Sequence, residues 1–121
     1  MFERIDCVCI HTDDIDASLS FQLRMGLSFA WRLDRELDDG RPWTLVGLDF
    51  PDRTSSQLVL STHPDRRVTE VEVRVKDVKS AYSELRLLPG VSWVAEPFAI
   101  EEGHVAVMTA PDGNVFVLIG D

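Results

Sequence analysis

Cys7, Cys9 and His11 stand at every second position of one stretch, and Glu70, Glu72 and Arg74 do the same in another. That spacing puts each trio on one face of a strand. Two thiols and an imidazole can ligate a soft metal, or act as a nucleophile with its base. Two carboxylates beside a guanidinium can pair with a cation or accept a proton. The first trio is stretched along its strand at ~3.3 Å per residue, so its ends lie too far apart to share one ion. The other histidines, His63 and His104, lie in an HPD segment and at a strand start, without metal-ligand spacing. No base adjoins Cys7 in sequence, which favours an inert, buried thiol. Cys7 and Cys9 have poor geometry for a disulfide with each other.

Aromatic residues are the second chemical resource. Trp31, Trp43, Trp93, Phe29 and Phe98 fall on predicted strands. Trp31 and Trp43 lie on opposite arms of one hairpin and are expected to pair across it. Aromatic faces beside carboxylates can hold a cation or a planar heterocycle. Asp34, Glu36, Asp38 and Asp39 crowd the intervening LDRELDDGR stretch, a solvated loop or an acidic rim. The chain carries 12 basic and 21 acidic residues, a net charge of −9. That balance argues against nucleic acid, which requires a basic surface, and favours cationic guests.

The elements that position these residues repeat. IDCVCIHTDDIDASLSF, from Ile5, and VTEVEVRVKDVKSAYSEL, from Val68, each read as a strand followed by a helix. Asp14 and Asp77, 63 residues apart, are the expected N-caps. Val78, Ala81, Tyr82 and Leu85 follow helical periodicity, and Ile15, Leu19 and Leu23 follow it less completely. Gly26 and Pro89-Gly90 end the helices. Strands are predicted over 27–33, 42–50 and 57–62 in the first half, and over 91–99, 104–110 and 114–120 in the second. Asp39-Gly40 supplies a hairpin turn, and Pro97 marks an edge or a bulge. Neither half covers its helix and both sheet faces alone, so a shared core is expected.

Within this repeat, the Asp14…Phe21…Gly26 run, the Asp77…Ala81-Tyr82 helix start and the APDGN turn at 110–114 carry a family pattern. With them the chain resembles the vicinal oxygen chelate superfamily of glyoxalases, extradiol dioxygenases and the fosfomycin and bleomycin resistance proteins. Gln22 and Ala110 depart from the usual tyrosine and aspartate of that pattern. The resemblance implies an α+β domain over 1–121, with two βαβββ modules (1–62 and 67–121) forming a mixed, strongly curved sheet around a concave cleft. A ferredoxin-like split βαβ fold has fewer strands per half than the hairpin and PDGN signals require.

By resemblance, a metal would use the positions of Cys7, Val59, Glu70 and Val117. Two of these are valines, which have no donor atom, so the expectation is no metal, no cofactor and no catalytic residue. The expected function is metal-free binding of a cationic or aromatic small molecule, as in the bleomycin resistance proteins. Its expected contacts are Cys7, Cys9, Trp31, Trp43, Glu70, Glu72, Arg74 and Val117, with Arg74 holding the acids in place. The resemblance also implies a homodimer. Alternatives are a metal-dependent isomerase, lyase or dioxygenase with displaced ligands, and a regulatory module with a vestigial cleft. With no apolar run of membrane-spanning length and no signal-peptide pattern at MFERIDCV, the chain reads as cytoplasmic.

Overall fold

A computed structural model describes residues Met1–Asp121. The chain contains ten elements: β1 (Arg4–His11), α1 (Ile15–Arg24), β2 (Ser28–Glu36), β3 (Pro42–Asp49), β4 (Gln57–Ser61), β5 (Glu70–Arg74), α2 (Val78–Leu85), β6 (Ser92–Ile100), β7 (Gly103–Thr109) and β8 (Val115–Gly120). This is the expected α+β architecture of two βαβββ modules. It divides into two compact units, one of Cys7–Thr69 and one of Met1–Asp6 with Glu70–Asp121. No helix is long and apolar enough to cross a membrane.

In the first unit β1 pairs parallel with β4, β4 antiparallel with β3, and β3 antiparallel with β2. The second repeats the plan: β5 is parallel to β8, and β7 lies antiparallel between β8 and β6. Both helices begin as the caps foretell. Asp14 accepts a hydrogen bond from the Ala17 N–H at 3.0 Å, and Asp77 from the Ser80 N–H at 2.8 Å. Each carboxylate satisfies a donor that has no partner within its helix. Gly40 and Gly113 adopt the left-handed conformation at the DDG and PDG turns, with φ of 87° and 88°, where a Cβ would be strained. The register of β6 on β7 shifts between Ala95 and Phe98, so Pro97 lies at an irregular stretch of that strand.

Each unit contains a cluster of buried apolar residues. In the first, Leu27, Val46, Leu48 and Leu60 are buried, with Ile15 and Leu19 of α1 packed on them. In the second, Val78, Ala81 and Leu85 of α2 join Val73, Val75, Ala106, Met108 and Leu118. The helices differ accordingly. α2 buries three residues and α1 buries none completely, because Ser18 and Gln22 interrupt its apolar face. Trp93 belongs to the second core and meets Tyr82 edge-on, with ring centroids 4.6 Å apart.

Candidate functional site

Strand alternation leaves the face of each sheet opposite its helix to Cys7, Cys9 and His11 in the first unit, and to Glu70, Glu72 and Arg74 in the second. In the first unit Ile10, Leu58 and Leu60 pack toward α1. Cys7, Cys9 and His11 therefore point the other way, opposite Gln57, Val59 and Ser61 on β4. Cys7 and Cys9 are thiols; Cys7 is buried and Cys9 half-buried.

Trp31 lies on this face. The register that starts at the hairpin turn runs unbroken to Trp31 and places it opposite Gly47, just before a shift toward Phe29. A Cβ on Gly47 would clash with the indole, whose Cζ2 lies 2.6 Å from the position such an atom would take. The ring thus lies on bare backbone and crosses β3. Its Nε1–H donates to Gln57 Oε1 on β4 at 3.0 Å, and Gln57 Nε2 donates to Asp49 Oδ1 at 2.8 Å. None of Gly47, Asp49 and Gln57 was singled out from sequence. The available signal was the glycine inside the apolar run TLVGLDF, since an interior strand glycine often marks a close approach.

Trp43 sits elsewhere on the ladder. It faces Arg35, while Trp31 faces Gly47, so the two indoles do not pair across the hairpin as expected. Four residues separate the two rungs along β2, roughly 13 Å at strand rise. The Trp43 ring is engaged by His63, whose centroid is 4.7 Å away, and by Arg35, whose guanidinium carbon is 5.7 Å from the ring centroid. A cation of the protein's own already lies beside that aromatic ring.

In the second unit Glu72 faces Val117 and Arg74 faces Ile119 across the parallel ladder. Val117 also faces Val107 on β7, which makes an apolar wall beside the carboxylates. Glu70 is only 5% exposed. Arg74 donates from Nε to Asp6 Oδ1 at 3.3 Å, and Arg4 Nη2 reaches the same oxygen at 3.1 Å. Asp6 is the acid shown holding Arg74, and it was not among the expected residues. An open depression elsewhere on this unit, of about 560 Å³, is lined by Lys76, Asp77, Ser80 and Glu84 and includes none of the expected contacts.

No protein-family model and no curated protein matches the chain. Solved structures do match. A hypothetical protein from Bacillus halodurans C-125 superposes with a TM-score of 0.74 at 17% identity, covering 98% of this chain and 94% of its own. A glyoxalase/bleomycin resistance protein/dioxygenase superfamily member from Vibrio splendidus 12B01 gives 0.67 at 18% identity, with 98% of each chain covered. Streptomyces coelicolor methylmalonyl-CoA epimerase, solved in complex with 2-nitronate-propionyl-CoA, gives 0.73 at 20% identity, covering 100% of this chain and 96% of its own. The chain has the vicinal oxygen chelate fold.

That fold implies a metal, and the residues present do not fit one. Of the four implied positions, Val59 and Val117 offer no lone pair, which leaves Cys7 and Glu70, fewer than the three ligands of a usual catalytic site. No group of three or more His, Cys, Asp or Glu side chains lies where it could hold an ion. Gln57, which faces Cys7 on the ladder, is an oxygen donor, but its carbonyl already accepts the Trp31 N–H. The implied positions of this chain therefore supply one thiol and one carboxylate beside two donor-free valines, short of the ligand set that Lewis-acid chemistry needs.

Proposed function

We propose that the chain is a metal-free binding protein that holds a planar aromatic or cationic small molecule against the face carrying Trp31, without making or breaking a bond. The observation that carries this reading is the seating of Trp31. The indole rests on Gly47, its N–H is occupied by Gln57, and a ring fixed in this way stacks with little ordering cost. The net charge of −9 supports a cationic guest. Cys7 and Cys9 on the same face are further contacts of this reading, and Glu70, Glu72, Arg74 and Val117, which share one face of the second unit, are the contacts it assigns within that unit. Trp43, paired with Arg35 and His63, contributes as a wall rather than as an open cation seat.

The proposal includes a homodimer. Phe21 and Met25, four residues apart on one side of α1, are 57% and 58% exposed, and clustered exposed apolar side chains favour association. Sedimentation of the wild type and of Phe21→Glu with Met25→Glu tests this. A dimer that dissociates in the variant supports it, and a monomer at every concentration contradicts it.

A second reading, an isomerase with Glu70 as base, draws support from the burial of that carboxylate and from the fold shared with an epimerase. A thermal-shift screen separates the two. Aromatic cations such as acridines are expected to raise the melting temperature, while sugars and thiol conjugates leave it unchanged. A shift with thiol conjugates alone favours the isomerase.

A further inference from the structure

Trp31, Gln57 and Asp49 stand on three successive strands, β2, β4 and β3, and form one chain of hydrogen bonds whose direction is fixed. An indole N–H can only donate, and an ionised carboxylate can only accept. The amide of Gln57 lies between them. Its carbonyl meets Trp31 Nε1 at 3.0 Å and its NH₂ meets Asp49 Oδ1 at 2.8 Å. Turning the amide over would set donor against donor and acceptor against acceptor, so Asp49 dictates which end of Gln57 the indole finds. Asp49 is in turn 3.7 Å from Arg53 Nη1. Gly47, the residue opposite Trp31 on β3, leaves room for the ring.

We infer that Gln57 is a positioning residue, oriented by Asp49, that locks the Trp31 indole flat over Gly47 so that its outer face is ready for a planar aromatic guest. The positioning stands on the hydrogen bonds alone, whereas the guest rests on the function proposed above. Neither residue needs to touch the guest. Their effect is to remove the rotamer freedom that a loose indole would lose on stacking. The second unit has no counterpart at the equivalent rung, where Ala95, Val107 and Val117 line up, so the aromatic seat belongs to the first unit.

The test follows the Trp31 indole N–H by heteronuclear NMR in the full chain, assigned with Trp31→Phe, and measures binding of acridine orange, a planar aromatic cation. Solvent exchange of that N–H is expected to speed up roughly tenfold in Gln57→Leu, the size of effect one lost hydrogen bond can produce. Gln57→Glu alone sets two carboxylates against each other and is expected to loosen the ring similarly. Adding Asp49→Asn to Gln57→Glu reverses donor and acceptor, and is expected to restore exchange to near the wild-type rate. A merely structural role for Gln57 would not be rescued by that reversal. Unchanged exchange in Gln57→Leu and Gln57→Glu overturns the positioning role, and failure of the double variant to recover overturns the part given to Asp49. Acridine orange affinity is expected to fall roughly tenfold in Gln57→Leu, in step with the ring's release. If exchange responds as expected but the wild type binds no acridine orange, the positioning is supported and the aromatic guest is overturned.

Discussion

The imidazole of His63 packs edge-on against Trp43, with ring centroids 4.7 Å apart, and its Nδ1 accepts the backbone N–H groups of Asp65 and Arg66 at 3.1 Å each. A nitrogen that accepts two hydrogen bonds carries no proton. His63 is 8% exposed, and this burial, followed by the nearby Arg66 charge, holds its pKa below the ordinary histidine value. The unfolded chain therefore takes up a proton at a higher pH than the folded one. The contribution of His63 to stability is complete above about pH 6.5, the ordinary histidine pKa, and is lost as pH falls from there through the lowered folded value. Thermal melts from pH 5 to 7.5 are expected to show wild-type stability falling with acid, and His63→Asn is expected to flatten that fall. Parallel profiles would contradict this.

Gly47→Ala tests the indole's seat without touching any hydrogen-bonding group. The new methyl would occupy space now filled by the ring, so the indole must swing away and release Gln57. Overpacking of this kind costs about 1–3 kcal/mol. Chemical denaturation is expected to show that loss, and the Trp31 contribution to fluorescence is expected to become accessible to acrylamide. Unchanged stability and quenching would mean that the ring does not need bare backbone.

The two helices, alike in sequence plan, are expected to differ in persistence. α2 buries Val78, Ala81 and Leu85, while α1 only half-buries Ile15 and Leu19 against its sheet. Native-state hydrogen exchange should open α1 before α2. Removing the cap with Asp77→Ala should lower the melting temperature by a few degrees. The Ser80 N–H holds the Asp77 carboxyl below its usual pKa, so this contribution is present at neutral pH and lost only as pH drops through the lowered carboxylate value. Equal protection of both helices would contradict the difference in packing.

Much of the fold is legible because local chemistry and global structure agree. The alternation in VTEVEVRV, the aspartates before each helix and the Asp39-Gly40 and PDG turns each specify a conformation within a few residues. The site is less legible because its contacts are remote in sequence. Trp31 reaches Gln57 across 26 positions, and Arg74 reaches Asp6 across 68. Both depend on strand register, which no local pattern fixes. The register runs unbroken from the turn to Trp31 and sets Trp43 opposite Arg35, four positions along β2 from Trp31, which is why the two indoles do not meet. The mismatch of Val59 and Val117 with a metal site needs no register at all, because a side chain without a lone pair has none in any conformation.

Whether this chain works without a metal is most directly measured by calorimetric titration of metal-stripped protein with zinc, nickel and manganese in turn. The expected result is heats of dilution only, with no saturable site for any of the three ions. Stoichiometric, tight uptake of one ion per chain, abolished by Glu70→Ala, would contradict it and move the function to the isomerase side.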